Sequence, residues 1–100
     1  MILQPAAATG AGISARFRWN KPLVGAKDGV NLTFHTPEPF LQVEATAIRV
    51  HRNGVLLEMG SGADYTIDES GGPGTGWDTI VLEAFAPRSW EKLTADYVAA

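Results

Sequence analysis

Cysteine is absent from the chain. That excludes disulfides, thiolate-held zinc and cysteine nucleophiles at once, and it is compatible with folding in a reducing cytosol. Imidazole is scarce too. His35 and His51 are the only histidines, and no His-x-His or His-x-x-x-His spacing offers the converging ligands of a metal site. No apolar run approaches the roughly 18–20 residues of a membrane span. The opening Met1-Ile2-Leu3-Gln4-Pro5 lacks a basic n-region and reads as no signal peptide. Basic residues are outnumbered, eight Lys and Arg against eleven Asp and Glu for a net charge of −3, which is not the surplus a nucleic-acid binder carries. Neither nucleic acid nor membrane is expected as a partner.

What is present favours a folded domain. Of 100 residues, 45% are hydrophobic and only 19% charged, with three tryptophans, so an ordinary core is within reach and global disorder is not expected. Charge is uneven. Residues 1–50 hold five basic and three acidic groups (+2), and residues 51–100 hold three and eight (−5). Such a gradient would let copies stack with opposite ends touching, although chance also produces it.

Residues 1–12, MILQPAAATGAG, are small and uncharged and read as a flexible N-terminal arm; residues 13–100 read as one domain. From Ile13 the pattern alternates, with Ile13, Ala15, Phe17 and Trp19 on one face and Ser14, Arg16 and Arg18 on the other. Period two is the mark of a half-buried strand, so Trp19 reads as core. A second run places Val30, Leu32 and Phe34 inward and Asn31, Thr33 and His35 outward. Thr36-Pro37-Glu38-Pro39 is expected to end it, because proline lacks an N–H and restricts its predecessor. Residues 47–52 and 55–58 flank Asn53-Gly54, whose residue types suit a type I′ hairpin turn. Residues 64–68, 79–85 and 92–98 read as further strands, with a glycine-rich loop at 70–76. Residues 89–96 are the only weak helical candidate. Six or seven short strands with turn signals every 8–12 residues predict an all-β antiparallel sandwich, Ig-like, or a small barrel.

Chemistry is thin on this frame. Both histidines fall on the polar side of their runs and read as surface residues. Gly60-Ser61-Gly62 is a loop tripeptide, not a nucleophile elbow. Gly10-Ala11-Gly12-Ile13-Ser14-Ala15 matches a dinucleotide fingerprint by letter, but it opens a strand and not a helix. Asp64, Asp68 and Glu69 are too few and too extended for a calcium loop. No catalytic, cofactor or metal residue is assigned, and the chain is expected not to be an enzyme. Trp77 and Trp90 border loops, where aromatic side chains make partner contacts.

The succession Gly25-x-x-Asp28-Gly29-Val30-Asn31-x-x-Phe34-x-Thr36-Pro37, Ile48-x-Val50-x-x-Asn53-Gly54-x-x-Leu57, Gly62-x-Asp64-Tyr65-Thr66-Ile67, Ile80-x-Leu82, Ala86-Pro87 and Leu93-x-x-x-Tyr97 resembles a small β-sandwich module of tailed-bacteriophage virion proteins, found in neck, tail and fibre components. The resemblance spans roughly residues 25–98. It implies a virion structural protein, made in the host cytoplasm and working as a homo-oligomeric adaptor at the head–tail junction, tail or capsid surface. Other virion proteins would be its partners. It brings no catalytic residues. Arg88-Ser89-Trp90-Glu91 stands where the pattern has Gly-Asp, and the 70–77 loop is longer than the pattern, so both are expected at partner contacts. Met1, Ile2 and Leu3 would dock on a neighbour by strand addition. The alternative is a carbohydrate-binding or adhesin-like module that stacks a glycan on Trp77 and Trp90.

Overall fold

The computed structural model describes residues 16–43 and 47–100. Met1, Ile2, Leu3 and the rest of the arm, together with Ile13 and Ala15, lie outside the described residues. Among the described residues seven strands follow in chain order: β1 (Phe17–Pro22), β2 (Thr33–Phe40), β3 (Arg49–Arg52), β4 (Val55–Leu56), β5 (Tyr65–Asp68), β6 (Trp77–Leu82) and β7 (Leu93–Val98). They form a four-stranded sheet, β1-β7-β3-β4, and a three-stranded sheet, β2-β6-β5. All pairings between these strands are antiparallel. The domain is therefore a small all-β sandwich, and no helix occurs among the described residues, residues 89–96 included.

The core is the alternating inner face of both sheets. Val50 on β3 and Leu93, Ala95 and Tyr97 on β7 meet Phe34, Phe40, Tyr65, Ile80 and Leu82 from the opposite sheet. Phe40 and Tyr97 tilt against each other across the gap at 6.0 Å. The sheets are stitched at one corner, where Leu41 N donates to Val98 O at 2.8 Å and Ala100 N to Pro39 O at 3.0 Å. Gly25 is required by packing: a Cβ there would stand 2.6 Å from Cδ2 of buried Phe34.

The hairpin forms as expected, with Asn53 at φ 53° and Gly54 at φ 84° between β3 and β4, as a type I′ turn requires. Other expectations fail. Thr36-Pro37-Glu38-Pro39 does not end β2, which runs on to Phe40. β2 is an edge strand, where proline's missing N–H is tolerated, and its ladder jumps from His35↔Thr79 to Phe40↔Trp77, so residues 36–39 bow out opposite Asp78 alone.

The second correction concerns the faces of β1. Phe17 and Trp19 are not core: they stand 39% and 64% exposed on the outer face. Arg18 turns toward the other sheet, and its Nε meets Glu38 Oε2 at 3.0 Å. Tyr97 Oη donates to the same carboxylate oxygen at 3.0 Å. The inward slot at this edge is thus filled by an ion pair at the sandwich rim. Arg18's hydrogen bond holds the Glu38 carboxyl below its usual range against desolvation, and desolvation with the Glu38 hydrogen bond raises the Tyr97 phenol to about 12. Val30, also expected inward, precedes β2 and is 80% exposed.

Candidate functional site

The strand expected over 79–85 stops at Leu82. Glu83 N donates to Asp64 O at 3.0 Å, and the chain then bends into a loop that returns at Leu93. Within that loop Phe85 sits at φ 59°. Positive φ is a conformational outlier for so bulky a residue, and such strain persists only where the surroundings enforce it.

Contacts from the end of β3 enforce it. Arg52, the last residue of β3, grips Glu91 with two parallel bonds, Nε to Oε1 at 2.8 Å and Nη2 to Oε2 at 2.9 Å. Paired bonds of this kind fix orientation as well as distance. The remaining Arg52 nitrogen, Nη1, donates to the Phe85 carbonyl. Glu91 accepts further bonds from Arg88 N at 2.8 Å and Asn53 Nδ2 at 3.2 Å. Arg52, followed by the Arg88 amide, lowers the Glu91 carboxyl from 4.5 to about 2. The hairpin is tied in as well, since Asn53 and Lys92 exchange two bonds.

A second loop, residues 25–32, is fastened alongside. Gly29 N donates to Pro87 O at 2.9 Å, Leu82 N to Leu32 O at 2.9 Å, and Lys27 Nζ to Glu91 O at 2.6 Å. Asp28 Oδ1 caps the turn through Asn31 N and Val30 N. These joined loops present Val30 (80% exposed), Phe85 (84%) and Trp90 (75%) to solvent. Arg88 lies over the Trp90 ring at 5.8 Å. A cleft lined by Arg52, Leu57, Asp64, Leu82 and Phe85 opens beside them. Apolar side chains this exposed, on loops this tightly bonded, form a preorganised tip. Chemically it offers apolar surface for burial and a few polar anchors.

Trp90 is thus on this tip, as its loop position implied, whereas Trp77 is not. Trp77 opens β6, is half-buried against the core, and stands opposite Phe40, which bridges to Ala99 beyond the end of β7. Trp90 precedes the start of β7, so the structure separates the two tryptophans to opposite ends of that strand. Met1, Ile2 and Leu3 lie outside the described residues. Phe85 and the Arg52–Glu91 clamp escaped the sequence reading. The available signal was Ala86-Pro87, which demands a corner after Phe85.

No family model, curated protein or solved structure matches this chain.

Among the described residues no group of three or more His, Asp or Glu could hold a metal ion. The acidic cluster instead caps backbone: Asp64 accepts from Glu58 N, and Glu69 accepts from Gly74 N and Gly76 N across the glycine-rich loop. His35 Nδ1 lies 3.2 Å from Thr79 Oγ1, while His51 Nδ1 is buried without a hydrogen-bond partner among the described residues.

Proposed function

We propose that this domain is a non-enzymatic assembly module of a tailed-phage virion, a homo-oligomeric adaptor that joins neighbouring structural proteins at the head–tail junction, tail or capsid surface. The observation that carries the assembly reading is the tip. Three large apolar side chains stand exposed on loops fixed by the Arg52–Glu91 clamp, and Phe85 is held in a strained conformation. Aromatic anchors on a rigid base are the anatomy of an interface centre, and preorganisation spares the entropy of ordering those loops on association. The phage assignment rests on the succession of sequence motifs between residues 25 and 98. The N-terminal arm, with Met1, Ile2 and Leu3, supplies the second contact by adding a strand to a neighbour's open edge, and many identical copies multiply a weak single contact.

Light scattering on the full chain, from about 1 to 100 μM, tests this. The expected result is a defined oligomer that falls to folded monomer in the Phe85→Ser/Trp90→Ser double variant and on deletion of residues 1–12. A chain that stays monomeric at the highest concentration, or whose oligomers ignore both changes, overturns it. Sedimentation of the tagged chain with purified phage particles tests the virion assignment; its absence from particles would defeat that part alone.

A further inference from the structure

The outer face of the four-stranded sheet carries a second, separately built site. Phe17 and Trp19, two residues apart on β1, stack with their ring planes 8° from parallel and their centroids 5.3 Å apart. Phe17 sits opposite Val98 in the ladder and both line one groove, so the ring pair is rooted in the sheet. Beside it runs a groove of about 230 Å³, lined by Phe17, Trp19, Ala47, Arg49, Asp96 and Val98 among others.

The backbone beneath Trp19 is shaped for this display. Between Arg18↔Tyr97 and Lys21↔Ala95 the β1 strand holds one residue more than β7, a β-bulge. Asn20 takes up the extra length at φ 52°, and its N–H donates to Asp96 Oδ1 at 2.7 Å. Bulges at sheet edges re-aim side chains, and asparagine tolerates the left-handed region better than most residues. Asp96 therefore does two things: Oδ1 pins the bulge, and Oδ2, without a hydrogen-bond partner among the described residues, offers an acceptor at the groove. Arg49 stands opposite Asp96 on β3 and has no hydrogen-bond or ion-pair partner among the described residues.

We propose that this groove binds a neutral oligosaccharide, with one pyranose ring packed on Trp19 and its hydroxyls held by Arg49 and Asp96. The chemistry selects that ligand class. A pyranose ring has one face of C–H bonds, slightly positive, which suits the negative π-face of an indole. Its rim consists of hydroxyls that both donate and accept. One guanidinium and one carboxylate answer both needs, and their charges cancel, so neither an anion nor a cation is favoured. The volume lies below the usual range of about 300–1,000 Å³ for drug-sized ligands and suits a single sugar ring, with the next ring over the open rim. This site shares no lining residue with the cleft beside the Phe85–Trp90 tip, and it does not rest on the assembly reading.

The test is nuclear magnetic resonance on the ¹⁵N-labelled full chain, titrated to about 10 mM with each of cellobiose, maltose, chitobiose and mannobiose. At least one sugar is expected to shift the Trp19 indole N–H and the Arg49 and Asp96 amides, leaving the Trp77 and Trp90 indoles in place. Trp19→Ala and Arg49→Met should each weaken that sugar about tenfold or more, with dispersed spectra showing that both remain folded. The Phe85→Ser/Trp90→Ser variant should bind sugar normally, which separates this site's failure from failure of the assembly reading. The proposal is overturned if no sugar moves Trp19, if the shifts persist in both variants, or if Trp19 responds only to protein concentration, which would assign the face to a second copy.

Discussion

Phe17 and Phe34 look equivalent in the sequence, each an aromatic in the middle of an alternating run. Their environments are opposite. Phe34 is fully buried between the sheets and Phe17 is 39% exposed on the outer face. Truncating a buried phenylalanine removes its transfer energy and leaves a cavity, so Phe34→Ala should cost about 3–5 kcal/mol. Phe17→Ala should cost about 1 kcal/mol or less, close to a surface change, and urea unfolding of the two variants measures the contrast. Glu91 gives a pH test at the same scale. Its carboxyl titrates near 2 when folded and near 4.5 when unfolded. The unfolded chain therefore binds this proton first as pH falls, and the clamp's contribution is whole above about 4.5 and lost progressively toward 2. Thermal melts should fall in midpoint over that window, and Glu91→Gln should flatten this part of the fall while lowering stability at neutral pH. Glu38, lowered by Arg18, adds acid sensitivity of the same sign.

At the scale of elements, the β3–β4 hairpin was the clearest local signal, because Asn53-Gly54 serves a turn whose two residues both need positive φ. Gly54 is at φ 84° with open space where a Cβ would point, so a substitution meets backbone strain and no clash. Gly54→Ala should destabilise by about 1 kcal/mol, measured by denaturant unfolding, without moving the Phe34 or Tyr97 resonances. The β2 edge teaches the converse. Pro37 and Pro39 read as a strand end, but an edge strand whose ladder breaks over residues 36–39 absorbs both, because no neighbour asks for their missing N–H groups.

For the whole molecule, the sandwich leaves two kinds of surface outside its core. One is the loop tip around Phe85 and Trp90, built from segments 25–32 and 83–92 that meet only when both sheets are in place. The other is the outer face of the four-stranded sheet, where β1, β7 and β3 bring Trp19, Asp96 and Arg49 together. Neither surface belongs to a contiguous motif. Trp90 was legible as a loop aromatic, and it stands exposed, whereas Trp77, singled out on the same grounds, packs half-buried at the other end of β7.

Period-two patterning and turn chemistry were enough, without a structure, to determine the all-β class, the hairpin, the Tyr65–Asp68 strand and the last strand. These are local properties, set by each residue's own backbone preference and by which face it shares with its second neighbours. Which of the two faces of β1 turns inward was decided only by tertiary structure. Alternation is symmetric under exchange of faces, and the choice fell to Glu38 and Tyr97, contributed by strands distant in sequence, which together gave Arg18 an inward partner and sent Phe17 and Trp19 outward.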